Sequence, residues 1–236
     1  SCSTTKELLS QGGGEFEPVN EHGDAARQAE LTALGIPRVP ATIVEGRFVH
    51  GWNPGALAEL VGVAFDDTPA LTPRELSETL DNILYFAQHL AKRLAAAQLE
   101  LKHPHRDRTL RDLAYHVFRL SAAFIDAMEQ GRLEQKWLGE LAPADVQSGA
   151  ALAAYGGRVR QRLAAWFARA PEDVFSRSTN TYYGEQRTHL LLERTTWHAG
   201  QHLRQIYDLL LTDGSLPVAP LAGELFEGLP MPAELW

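Results

Sequence analysis

Cysteine is nearly missing from this chain, with Cys2 the single one. An internal disulfide framework is thereby excluded, and the usage fits a reducing, cytoplasmic setting. No apolar run approaches the roughly 18 residues of a membrane span, and no stretch has the form of a secretory signal. A membrane is therefore not expected as a partner. Basic residues are also short: 22 Lys and Arg face 30 Asp and Glu, a net charge of −8. That balance argues against a nucleic-acid backbone as partner. The deficit is uneven, with four basic and ten acidic side chains in residues 1–67. What is present is ordinary for a globular protein, 44% hydrophobic over 236 residues, a length that suggests two domains.

The first 62 residues mix helix and strand signals. "STTKELLSQGG" reads as a helix stopped by Gly12, Gly13 and Gly14. "EFEPVN" alternates as a short strand would, and "DAARQAELTALGI" reads as a helix with Asp24 as N-cap and Gly35 at its C-terminal end. "ATIVEGRFVHG" predicts a hairpin turning at Glu45-Gly46, and "NPGALAELVG" a helix with Pro54 in its first turn.

This order, with "CSTTKELL" and "VPATIVEGRFVHGWNPGALAEL", resembles a glutaredoxin, nearest the NrdH-type redoxins. The resemblance implies a thioredoxin-like α/β fold. It places Cys2 at the second cysteine of a Cys-x-x-Cys motif, makes Val39-Pro40 the cis-proline loop facing the cysteines, and sets Gly51-Trp52 beside that loop. Val39, Pro40 and Gly51 would then contact a bound thiol. The first cysteine would fall two positions upstream of Ser1, and the first strand would be missing, so a truncated start is expected. Cys2 alone could be glutathionylated but could not complete a dithiol cycle. The alternative is a terminal thiol with no role.

Residues 1–64 are thus one expected domain and 65–72 a linker. Residues 73–212 form a second domain, and 213–236 a proline-rich tail packed on it through Leu216, Leu221, Phe226 and Trp236. In the second domain four helices are predicted over Pro73–Gln98, Leu110–Gln130, Ala150–Ala168 and Arg187–Leu211, an all-α antiparallel four-helix bundle. Apolar stripes such as Leu76, Leu80, Ile83, Ala87, Leu90 and Leu94 follow the helical period.

Three histidines fall on those stripes. His198 and His202, one turn apart, share a face with Leu191, Thr195 and Leu209, while His116 sits between Leu113 and Leu120. His189 is out of phase and should face outward, and His103 and His105 read as a solvated loop. Three inward imidazoles on two helices suit zinc, nickel or iron(II), and a catalytic site would leave a coordination position open. Spacing alone leaves two readings level: a metal site, or a set of partly exposed or mutually hydrogen-bonded histidines.

"TLRDLAYHVFRL" and "WHAGQHLRQI" resemble motifs of the DinB/YfiT-like superfamily, four-helix proteins with a three-histidine metal site. The resemblance implies His116, His198 and His202 as ligands of a divalent metal, zinc foremost. The chain has Leu203-Arg204-Gln205 where the family has Arg-Gly-Gln. Members include transferases and isomerases that use a low-molecular-weight thiol, so the resemblance implies a thiol-dependent S-transferase or isomerase acting on an electrophile. Arg204 and Gln205 would contact the thiol or support a ligand, and a homodimer would be unsurprising. A non-catalytic redox- or metal-responsive protein with a structural site is the alternative, and a metal-free histidine core the third. Arg119 reads as a solvated bundle arginine, and Glu193 and Tyr115 merely flank the site in sequence.

Overall fold

A computed structural model of the chain describes residues 5, 9, 16–19, 24–36, 39–51, 53–64, 68–104 and 106–236. Two compact units divide the chain at Thr68/Pro69, within the segment 65–72. In the first unit, α1 (Ala25–Ala33) starts at Asp24, whose carboxylate accepts the amides of Ala26 and Arg27. Strands β1 (Ala41–Val44) and β2 (Arg47–His50) pair antiparallel around Glu45 and Gly46, both at positive φ. Helix α2 (Pro54–Val61) follows, capped by Asn53 and ended by a left-handed Gly62.

Residues 16–19 correct one expectation, because they form no strand and are all exposed. Pro18 cannot donate to a ladder, and among the described residues only β2 pairs with β1. Of the expected first helix only Thr5 and Leu9 are described, both helical and buried.

The second unit is built on four long helices: α3 (Pro73–Ala91), α5 (Leu110–Gln130), α7 (Gly149–Phe167) and α8 (Thr188–Thr212). Short helices α4 (Ala96–Leu99) and α6 (Gln135–Leu138) lie in the connections. Helix α3 opens with a reciprocal cap, Thr72 Oγ1 accepting the Glu75 amide at 3.3 Å and Glu75 Oε2 accepting the Thr72 amide at 2.8 Å. Thr109 and Ser148 cap α5 and α7 with their hydroxyls, which accept the Asp112 amide at 3.1 Å and the Ala151 amide at 3.2 Å. The expected first bundle helix is therefore shorter, ending at Ala91 and resuming only as the single turn α4.

Each of α3 and α5 packs between α7 and α8. Arg160 bonds Asp81 and Gln88 bonds the Ala153 carbonyl, so α3 and α7 run antiparallel. Tyr115 stacks on Tyr155 and Phe124 meets Trp166, so α5 and α7 run parallel. His189 lies at Leu71 and Gly200 at Ile83, so α3 and α8 run parallel as well. The order is up-down-down-up, which corrects the all-antiparallel expectation. Its cause is the long passage through residues 131–148, which returns the chain to the starting end before α7. That passage carries β3 (Arg132–Leu133), which pairs in parallel with β4 (Ser178–Thr181); β4 pairs antiparallel with β5 (Gly184–Arg187). This hairpin, turning at Tyr182-Tyr183, was not expected from the sequence.

The core runs through Leu76, Leu80, Ile83 and Leu84 of α3, Phe118, Phe124 and Ile125 of α5, Leu152 of α7 and Leu192, Leu203 and Leu210 of α8, all essentially inaccessible. Each such side chain contributes about 1.5–3 kcal/mol relative to exposure. Close approach is built in at Gly156, where a Cβ would strike the Phe118 ring at 2.5 Å. The topology sets α5 against α8 in opposite directions, with consequences for the histidines.

Candidate metal centre

His116 projects from the second turn of α5, and His198 and His202 from the middle of α8. Their nearest ligand nitrogens lie within 4.8 Å of one another. Ring centroids are 4.7 Å apart for His198 and His202, 4.9 Å for His116 and His202, and 5.8 Å for His116 and His198. A tetrahedral zinc with bonds of about 2.0–2.1 Å would space its nitrogens about 3.3 Å apart, so small rotations of the rings complete the set.

His116 is buried, and His198 and His202 are half-buried. Burial, with the neighbouring His202 and cationic side chains, holds the His116 and His198 proton affinities well below the ordinary histidine range. Burial brings His202 down to about 4, against a hydrogen bond to Gln205 that favours its charged form. All three are therefore neutral nitrogen donors at neutral pH, the form a metal requires. His116 Nδ1 and His198 Nδ1 are buried with no hydrogen-bond partner among the described residues. Such orphaned nitrogens are costly without a ligand, and the donor set fits a divalent ion of the zinc, nickel or iron(II) type.

Gln205 fixes the third ring. Its Nε2 donates to the Leu235 carbonyl at 2.6 Å, which turns its Oε1 toward His202 Nδ1 at 2.7 Å. His202 Nδ1 therefore carries the proton, and Nε2 is left as the ligating atom. The carbonyl that anchors this relay comes from the C-terminal segment, which lies along α8. Gln201 donates to the Glu234 and Leu235 carbonyls, Arg204 to the Pro232 carbonyl, and the Trp236 indole to Asp208. Trp236 in turn stacks on His103 at 4.1 Å.

Several expected roles change. His103 is a stacking partner rather than a solvated loop residue, and His189 donates to the Leu71 carbonyl rather than facing outward. His105 and Trp52 lie outside the described residues. Arg204 is tied to Gln201 and Pro232, so of the expected pair only Gln205 touches a histidine. Arg119 is buried, bound to Glu140 at 2.6 Å and to Asp126 at 2.9 Å, not solvated. Glu193 accepts the Ala70 amide, where burial raises its pKa to about 7, and Tyr115 stacks on Tyr155. Close packing on α8 falls at Gly200, where a Cβ would lie 3.2 Å from the Phe226 ring and 3.3 Å from the Ile83 side chain. In the tail, Leu229 and Pro232 are buried, while Leu216, Leu221, Phe226 and Trp236 are half-buried.

In the first unit the Val39-Pro40 peptide is cis, and the Gly51 amide donates to the Pro40 carbonyl at 2.8 Å. Val39 is exposed, and Pro40 and Gly51 are half-buried. Cys2 lies outside the described residues.

A cation not expected from the sequence stands beside the histidines: Arg194 precedes His198 by one turn on α8 and is buried. A charged residue at i−4 from an inward histidine is itself a sequence signal, the same one that singled out the histidines. No helix among the described residues is long and apolar enough to cross a membrane. Comparison with protein-family models returns no match, and comparison with curated proteins returns no relative.

Proposed function

We propose that the second unit is a mononuclear divalent-metal centre, zinc foremost, that binds a low-molecular-weight thiol and serves an S-transferase or isomerase reaction with a small electrophile. The observation that carries this reading is the three-nitrogen set without a fourth protein ligand: among the described residues no carboxylate joins His116, His198 and His202. Structural zinc sites are closed by four protein ligands, whereas reactive ones keep a position free. A divalent ion there would supply Lewis acidity, favouring the thiolate of a bound thiol at neutral pH. The half-buried edges of His198 and His202 leave that side of the cluster accessible, while Gln205 keeps His202 Nε2 directed inward. The resemblance to a glutaredoxin in residues 1–62 supports a partner role for that unit, presenting a mixed disulfide of the same thiol around Pro40 and Gly51.

The test is metal content, followed by thiol binding. Purified protein reconstituted near neutral pH is expected to hold about one ion per chain, lost in a His116→Ala/His198→Ala/His202→Ala variant. With cobalt(II) in place of zinc, a thiol should produce a sulfur-to-cobalt charge-transfer band. Metal without any thiol-dependent band would leave a structural, metal-responsive site, and no metal at all would remove the proposal.

A further inference from the structure

Charge around the cluster is unbalanced. Arg119 has Glu140 and Asp126, Arg160 has Asp81, and Arg162 has Asp126 and Glu129. Arg194 has no carboxylate among the described residues, although only 8% of it is exposed. Its Nη2 reaches the Tyr182 hydroxyl at 3.3 Å, its guanidinium lies 4.9 Å from the Tyr183 ring centre, and its Nε is buried with no partner. Its partners are thus neutral at neutral pH, and among the described residues no acid balances the charge that burial takes out of water.

Arg194 stands one turn before His198 on the same face of α8, and among the described residues no carboxylate joins the three histidines. A divalent ion there would add positive charge beside a guanidinium that has no acid among the described residues to meet it.

We infer that the site takes an anionic ligand, a small molecule bearing a carboxylate, with Arg194 as its counter-charge beside the three histidines. This rests on the metal-centre reading above. A planar guanidinium with a free edge matches a carboxylate in geometry as well as charge. The carboxylate belongs either to the thiol or to the electrophile, and the two are separable by experiment.

The probes are 3-mercaptopropionate, 2-mercaptoethanol and succinate, added to the full chain with and without cobalt(II). Charge-transfer absorption reads the sulfur, and calorimetry reads total binding. If the thiol carries the carboxylate, 3-mercaptopropionate should bind about tenfold more tightly than 2-mercaptoethanol, as expected for one charge-assisted contact. Arg194→Gln should erase that preference and Arg194→Lys should keep part of it. If the electrophile carries it, the two thiols should bind alike while succinate binds in an Arg194-dependent way. Arg194→Met, which keeps the aliphatic stem and removes the charge, should erase the preference as Arg194→Gln does and stands in should that variant fail to fold. Equal binding of both thiols with no succinate binding would overturn the inference and leave the thiol reading standing. Succinate binding that depends on Arg194, without any thiol band, would do the reverse.

Discussion

In the first unit α1 buries none of its residues, and the β1–β2 hairpin leaves Ile43 exposed and most of its other positions half-buried. In the second, α5 is buried along nearly its whole length, because it is flanked by α7, α8 and the 131–148 passage. Both units carry a motif, but the physical support differs. Around Pro40 and Gly51 the arrangement is one of backbone near solvent. Around His116 it is one of desolvated side chains, whose proton affinities are set by the core. A dense core is what lets a protein hold three imidazoles neutral and ready for a cation.

The largest expected difference between the regions is in cavity cost. Phe118→Ala should destabilise the bundle by about 3–5 kcal/mol in chemical denaturation. Phe48→Ala in the half-buried hairpin should cost about 1 kcal/mol or less. Equal losses would break the contrast.

Metal should act on one unit alone. An ion at about a thousand times its dissociation constant adds about 4 kcal/mol, a rise of roughly 8–16 °C in the melting midpoint of the bundle. His198→Ala should abolish the shift, and the unfolding of the first unit should not respond.

Acid should separate them again. In the metal-free protein the three histidines bind protons less readily folded than unfolded. The unfolded chain therefore holds more protons below about pH 6.5, and stability should fall as pH drops from there toward about 4. The contribution of His202 alone is on the order of 1–3 kcal/mol. A flat profile over that window, measured by urea unfolding, would contradict the burial of the cluster.

The smallest effect sharpens the comparison inside the bundle. Gln205→Leu frees His202 to turn and should weaken metal binding about 10–100-fold with little change in folding. Gln205→Glu, which can still accept from Nδ1, should recover most of it.

Much of the second unit was legible in the sequence because its signals are local. The stripe from Leu76 to Leu90, the Thr72–Glu75 cap and the four-residue spacing of His198 and His202 each follow from a helix period that neighbouring residues impose on themselves. The sign of the net charge and the single cysteine likewise required no fold. The hairpin at Tyr182-Tyr183 was hidden because its strands are short, polar and paired with β3, far away in sequence.

What the sequence determined by itself was which faces are apolar and which of them carry imidazoles, since side-chain direction in a helix repeats every few residues. Only the tertiary structure decided that α5 runs parallel to α7 and opposite to α8, that Arg119 finds acids while Arg194 finds none among the described residues, and that the Leu235 carbonyl orients His202 through Gln205. Those outcomes depend on which distant segments share a volume, and no local period encodes that.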